Sequence, residues 1–290
     1  MNFGQLITAM VTPFNDRLEI DWEATGKLID YLIEQQSDAI VVSGTTGESP
    51  TLTDEEKVRL FRFAVEHVAG RCKVIAGTGS NETAHSVQLT RKAQEVGVDG
   101  ALLVTPYYNK PSQEGVYQHF KAIAEAAESL PIMLYNVPSR TVTSISVETT
   151  LRLAQIPNIV ATKECVLEQM TEIVAHAPEG FRLYSGDDGI TLPTLAVGGY
   201  GIVSVASHIV GPRMKDLIAA FKAGRVEEAI RINQELFPIF KGLFNCPHPV
   251  PNPVPVKVAL SLRGIRVGGV RLPLVDATDA ETAFIRQLLE

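Results

Sequence analysis

The chain has 290 residues, 45% hydrophobic and 20% charged, which suits one large α/β barrel or two ordinary domains and argues against disorder. A formal net charge of -7 with no long basic stripe argues against nucleic acid or an anionic membrane as partner. Cys72, Cys165 and Cys246 are too scattered and too few for a disulfide scaffold, and no apolar run nears the roughly 20 residues that span a bilayer. With no signal-peptide pattern at the N-terminus, a cytoplasmic protein is expected.

Short apolar, β-branched runs recur along the chain at 6–11, 39–43, 73–76, 100–105, 131–136, 159–163, 182–185 and 201–205. Each is nearly continuous in apolar character, as strands buried on both faces of a parallel sheet should be. Amphipathic helical stretches such as 21–35, 53–69, 82–96 and 114–129 lie between them. Thr53-Asp54-Glu55-Glu56 is a capping box, and Ser112 precedes Gln113 and Glu114 as a helix start. Strand and helix alternating in this way predict an α/β fold, a (β/α)8 TIM barrel. Gly77-Thr78-Gly79 is only a fragment of a dinucleotide-binding motif, and a tight βα turn explains it more simply.

After about residue 211 the pattern becomes helical, with segments at 212–223, 226–244, 254–262 and 279–289. That is more helix than one βα unit needs. The expected organisation is a catalytic barrel over 1–224 and a small C-terminal helical appendage over 225–290. The proline cluster from Cys246 to Pro253 reads as a rigid connector, with Pro253 or Pro255 in the first turn of the next helix.

Active sites of such barrels lie at the C-terminal ends of the strands. There the chain places Ser43-Gly44-Thr45-Thr46-Gly47-Glu48, Thr105-Pro106-Tyr107-Tyr108-Asn109, Leu134-Tyr135-Asn136-Val137-Pro138-Ser139-Arg140, Lys163-Glu164 and Ser185-Gly186-Asp187-Asp188. Lys163 closes an apolar strand, a costly place for an ammonium. Burial favours the neutral amine, which attacks carbonyl carbon to form a Schiff base. The bland alternative is a strand-end lysine whose stem lies on apolar surface while its head reaches water. Tyrosine and threonine hydroxyls both donate and accept, so Thr45, Tyr108 and Tyr135 can relay protons for such chemistry. The Gly44 to Gly47 turn offers backbone N–H groups and hydroxyls to a carboxylate, and Arg140 can clamp a second one. Asp187 and Asp188 look like a carboxylate pair, but a helix-cap role for at least one of them is the better reading, and Cys165 is read as packing. No histidine spacing suggests a metal, and no cofactor is indicated.

Together these motifs resemble the dihydrodipicolinate synthase family of pyruvate-dependent class I aldolases, over essentially the whole chain. The resemblance implies that Lys163 forms the Schiff base with pyruvate and that Tyr135 donates and accepts protons. It makes Thr45 and Tyr108 the rest of the relay, Tyr108 being supplied across a dimer interface. Thr46 would hold the pyruvate carboxylate, Val203 and Gly186 would contact substrate, and Arg140 would orient L-aspartate-4-semialdehyde. The product would be 4-hydroxy-tetrahydrodipicolinate, at the first committed step of diaminopimelate and lysine biosynthesis. A homotetramer built as a dimer of dimers is implied as well.

Two departures stand out. Positions that bind the inhibitor in lysine-regulated members read Pro50, Asp54, Lys57 and His85 here, beside Ser49, Asn81 and Tyr107, so weak or absent feedback inhibition by lysine is expected. Cys165-Val166-Leu167 follows Lys163-Glu164 where small and polar residues are more usual. The alternatives kept open are another pyruvate aldolase, such as N-acetylneuraminate lyase or a 2-keto-3-deoxy sugar acid aldolase, and a non-catalytic ligand-binding barrel.

Overall fold

The computed structural model describes residues 2–290. Eight parallel strands pair in chain order and close on themselves, the last against the first, so the chain builds the expected (β/α)8 barrel. The strands are β1 (Leu6–Ala9), β2 (Ala39–Val42), β3 (Lys73–Gly77), β4 (Gly100–Val104), β5 (Ile132–Asn136), β6 (Ile159–Glu164), β7 (Arg182–Ser185) and β8 (Gly201–Ser204). Around them run α1 (Trp22–Glu34), α2 (Asp54–Val68), α3 (Thr83–Val96), α4 (Gln113–Ala126), α5 (Pro138–Thr141), α6 (Val147–Leu153), α7 (Leu167–His176), α8 (Thr191–Ala196) and α9 (Ser207–Lys222). Three further helices complete the chain: α10 (Val226–Gly242), α11 (Val254–Leu262) and α12 (Asp279–Leu289).

Local chemistry starts the helices where the sequence predicts. Asp21 caps α1 by accepting from Ala24 N–H, and Thr53 and Glu56 close a reciprocal capping box on α2. Ser112 caps α4 through Gly115 N–H. The turn after β3 is a close backbone approach, since a Cβ on Gly79 would lie 2.4 Å from the Val104 nitrogen. Only α9 differs appreciably from expectation: it begins at Ser207, not at 212, with a non-helical residue at Val210. Pro212 therefore follows the break closely, where its missing N–H removes little helical bonding.

Two large apolar regions make most of the core, with a small third cluster of Met170, Ile173 and Leu183. Ile7, Val41, Ile75, Leu102, Met133, Ala161, Tyr184 and Val203 fill the barrel interior, while a larger shell packs strands against helices. Asp188 is fully buried and accepts from the Ser204 hydroxyl and from the N–H groups of Val205 and Ala206, fastening the turn after β8. Burial raises its carboxyl to about 6 against those hydrogen bonds. Asp187 accepts from Gly189 N–H at 2.7 Å, so both aspartates serve turns. Among the described residues no helix is long and apolar enough to cross a membrane.

The C-terminal segment reaches back to the barrel rim. Lys257 on α11 meets Glu48, just after β2, at 2.7 Å, and both side chains are buried. The same ammonium donates to the Gly269 carbonyl, while Glu48 also accepts from Arg271 N–H. The Arg271 guanidinium then pairs with Glu56 of α2 and donates to the carbonyls of Leu18 and Thr51. Removing one member of a buried pair leaves the other charged and dry. Lys257→Met is expected to cost about 3–5 kcal/mol of stability. The double change with Glu48→Gln should recover much of it. Thermal unfolding of both variants checks this, and a single variant as stable as the parent would refute it.

Candidate active site

Lys163 and Tyr135 are direct neighbours in the β5–β6 ladder, and both strands place them at their C-terminal ends. Lys163 is 6% exposed, and its Nζ lies 4.1 Å from the centroid of the Tyr135 ring. A cation on a ring face at that distance is held by about 0.5–2 kcal/mol. No carboxylate pairs with Lys163 among the described residues, whereas Lys257, also deeply buried, has Glu48. An amine without a counter-ion, beside a phenol, is free to meet a carbonyl substrate.

What keeps these two strand ends aligned is the pair of residues that follow them. Asn136 and Glu164 are also register partners, and Asn136 Nδ2 donates to both Glu164 carboxylate oxygens at 2.9 and 3.1 Å. Glu164 Oε1 additionally accepts from the N–H groups of Cys165 and Val166. Burial nevertheless pushes this carboxyl up to about 7. Gly186, after β7, completes the wall: its N–H donates to the Glu164 carbonyl at 2.7 Å. A Cβ there would lie 2.3 Å from Cys165 Sγ and 3.2 Å from Lys163 Cγ, so only glycine fits against the lysine stem. The Cys165 thiol, raised to about 12 by burial, is a packing group and not a nucleophile.

The turn after β2 is built to leave donors free. Ser43 and Glu48, at either end, adopt the left-handed region with φ of 55° and 56°. The N–H groups of Thr45 and Thr46 donate to no backbone carbonyl. Thr12 Oγ1 donates to the Gly47 carbonyl from below, and Asn252 Nδ2 donates to Thr46 Oγ1 at 2.9 Å. Unpaired N–H groups in successive residues make an anion-binding concavity.

A cavity of about 580 Å³ opens above these elements. Thr45, Tyr135 and Arg140 line it, and so do Tyr107, Ser49, Asp54, Lys57, Asn81 and His85 at its other end. Thr46, Lys163 and Val203 are buried and do not line the cavity, Val203 lying in the interior cluster with Tyr135. The sequence places Tyr108 on the same rim, but its side chain is 87% exposed and does not line the cavity. Its φ of 75° is costly for a side chain of that size. At the far end His85 Nε2 bonds Asp54 at 2.9 Å and its Nδ1 meets Ser80 Oγ, while burial holds the Lys57 amine below its ordinary pKa. Among the described residues no cluster of His, Cys, Asp and Glu is arranged to hold a metal ion.

The residues that sequence reasoning missed are those behind the site. Asn136 and Glu164 stand out in the sequence only as companions of Tyr135 and Lys163, and Asn252 only as part of a proline connector. A polar residue immediately after each strand-end functional group is the one available signal.

The comparisons with known proteins agree with this geometry. The model of the Dihydrodipicolinate synthetase family matches residues 2–290. A 4-hydroxy-tetrahydrodipicolinate synthase from Bacillus subtilis (strain 168) is 58% identical over 284 residues, covering 97% of this chain and 96% of that protein. A dihydrodipicolinate synthase crystal structure from Bacillus anthracis superposes with a TM-score of 0.96 at 54% identity, covering 100% of this chain and 98% of that one. The structure of the enzyme from Cyanidioschyzon merolae with lysine bound gives a TM-score of 0.96 at 48% identity, covering 99% and 97% of the two chains. With the motifs in order on the barrel rim and the match running the length of the chain, this protein belongs to the dihydrodipicolinate synthetase family.

Proposed function

We propose that this chain is a Schiff-base lyase that condenses pyruvate with L-aspartate-4-semialdehyde to 4-hydroxy-tetrahydrodipicolinate, the committed step of diaminopimelate and lysine biosynthesis. The observation that carries the reading is Lys163, buried without a carboxylate partner and in register with Tyr135. The Lys163 amine attacks C2 of pyruvate, and the carbinolamine loses water to give the imine. Tyr135 moves the protons of that dehydration, with Thr45 and a neighbouring subunit's copy of Tyr108 as the path to solvent. Loss of a C3 proton gives the enamine, whose C3 bonds to the aldehyde carbon. The semialdehyde amino group then attacks C2, closes the ring and expels Lys163.

The unpaired N–H groups of Thr45 and Thr46 suit the pyruvate carboxylate, and Val203 and Gly186 set the wall against which the imine sits. Arg140 lies on the exposed lip, at the right place for the second substrate's carboxylate. Arg140→Ala is expected to raise KM for the semialdehyde about tenfold or more, the cost of a lost charged hydrogen bond, with a much smaller effect on pyruvate. Equal effects on both substrates would remove Arg140 from that role. Assaying pyruvate with aspartate semialdehyde and with sugar-derived aldehydes tests the reaction itself, and turnover with the sugars alone would overturn it.

Homotetramer formation as a dimer of dimers fits the exposed Tyr107, Tyr108, Val142 and Leu272, a set of large apolar groups awaiting cover. Three free cysteines fit a cytoplasmic setting. Feedback control by lysine is expected to be weak, because Asp54 is already engaged by His85 and Lys57 brings a cation into the same end of the cavity. A titration with lysine during turnover checks this, and strong inhibition at sub-millimolar concentrations would sink it.

A further inference from the structure

Asn252 lies in the connector between α10 and α11, yet its amide touches the turn after β2, 206 residues away. Asn252 and Thr46 are both buried, and the contact is a hydrogen bond of 2.9 Å from Nδ2 to Oγ1. A hydroxyl has one proton and two acceptor sites. Because the amide N–H occupies an acceptor site, the proton of Thr46 must point elsewhere, and no group among the described residues accepts it. Asn252 Oδ1 is itself buried without a partner. The Asn252 side chain thus makes one hydrogen bond, to this hydroxyl, which makes it a poor brace for the fold.

We infer that Asn252 is a positioning residue for the keto-acid substrate: by donating to Thr46 Oγ1 it turns the hydroxyl proton toward the substrate carboxylate, adding a third donor to the N–H groups of Thr45 and Thr46. The inference rests on the Schiff-base reading given above. It assigns the C-terminal segment a share in pyruvate recognition, not merely in stability.

Two variants separate polarity from packing. Asn252→Asp replaces the donor by an acceptor of the same shape, so the Thr46 proton turns away from the substrate and a negative charge is added nearby. Its KM for pyruvate should rise about tenfold or more, and by a larger factor than kcat falls. Asn252→Ala should raise KM less, because the hydroxyl becomes free to rotate. In a Thr46→Val background Asn252→Ala should add nothing further, which a purely structural asparagine would not reproduce. Borohydride trapping at graded pyruvate concentrations reads the same half-saturation without the second substrate. An Asn252→Asp enzyme with the parent's KM overturns the inference, and so does an Asn252→Ala effect that is undiminished in the Thr46→Val background. Should Asn252→Asp fail to fold, the Asn252→Ala cycle decides alone. If the parent protein traps no pyruvate on Lys163, it is the Schiff-base reading that fails.

Discussion

Lys163→Met is expected to abolish condensation while leaving the barrel folded. Methionine keeps most of the stem that packs against Gly186 and removes only the reacting amine and its charge. Because Lys163 has no carboxylate partner, its loss strands no opposite charge, in contrast to Lys257. Treatment with pyruvate and borohydride should add mass to the peptide containing Lys163 in the parent protein and to no peptide in the variant. Condensation by the variant above the uncatalysed rate would mean that the imine forms elsewhere.

Tyr135→Phe should have the next largest effect. The ring stays, and with it the face on which Nζ rests at 4.1 Å. Only the hydroxyl goes, and with it the group proposed to hand protons to and from the carbinolamine. A loss of about 10²–10⁴ in kcat is expected, the usual value of a positioned acid–base. Trapping on Lys163 should persist but slow down, because the nucleophile remains. Turnover close to that of the parent would take Tyr135 out of the mechanism.

The barrel is legible in the sequence because its signals are local. Each strand is an apolar run of a few residues, and caps such as Thr53 with Glu56 are complete within one turn. Strand limits drift by one or two residues, as at β1, which ends at Ala9, since apolar character continues beyond the last ladder pair. The position of Lys163, Tyr135 and Thr45 on one rim follows from strand ends alone. That of Tyr108 does not, because a left-handed residue in a loop redirects the chain in a way that residue type does not announce. Glu164 is hidden for another reason. On a strand, neighbours point to opposite faces, so the carboxylate beside Lys163 turns out into a polar clasp with Asn136, not to the face that Lys163 occupies.

Contacts between distant parts of the chain leave no periodic trace at all. Glu48 with Arg271, and Thr46 with Asn252, join residues 223 and 206 positions apart. That separation has a consequence for biosynthesis of the protein itself. The barrel strands end at Ser204, but the turn proposed to hold a carboxylate, already held by Thr12, acquires its last fastenings only when residues 252–271 have left the ribosome. A nascent chain therefore has all eight strands before it has a finished pocket. If that turn holds the keto acid as proposed, competence to turn over substrate arrives last, with the C-terminal helices, and a prematurely terminated product is expected to be a barrel that cannot grip it.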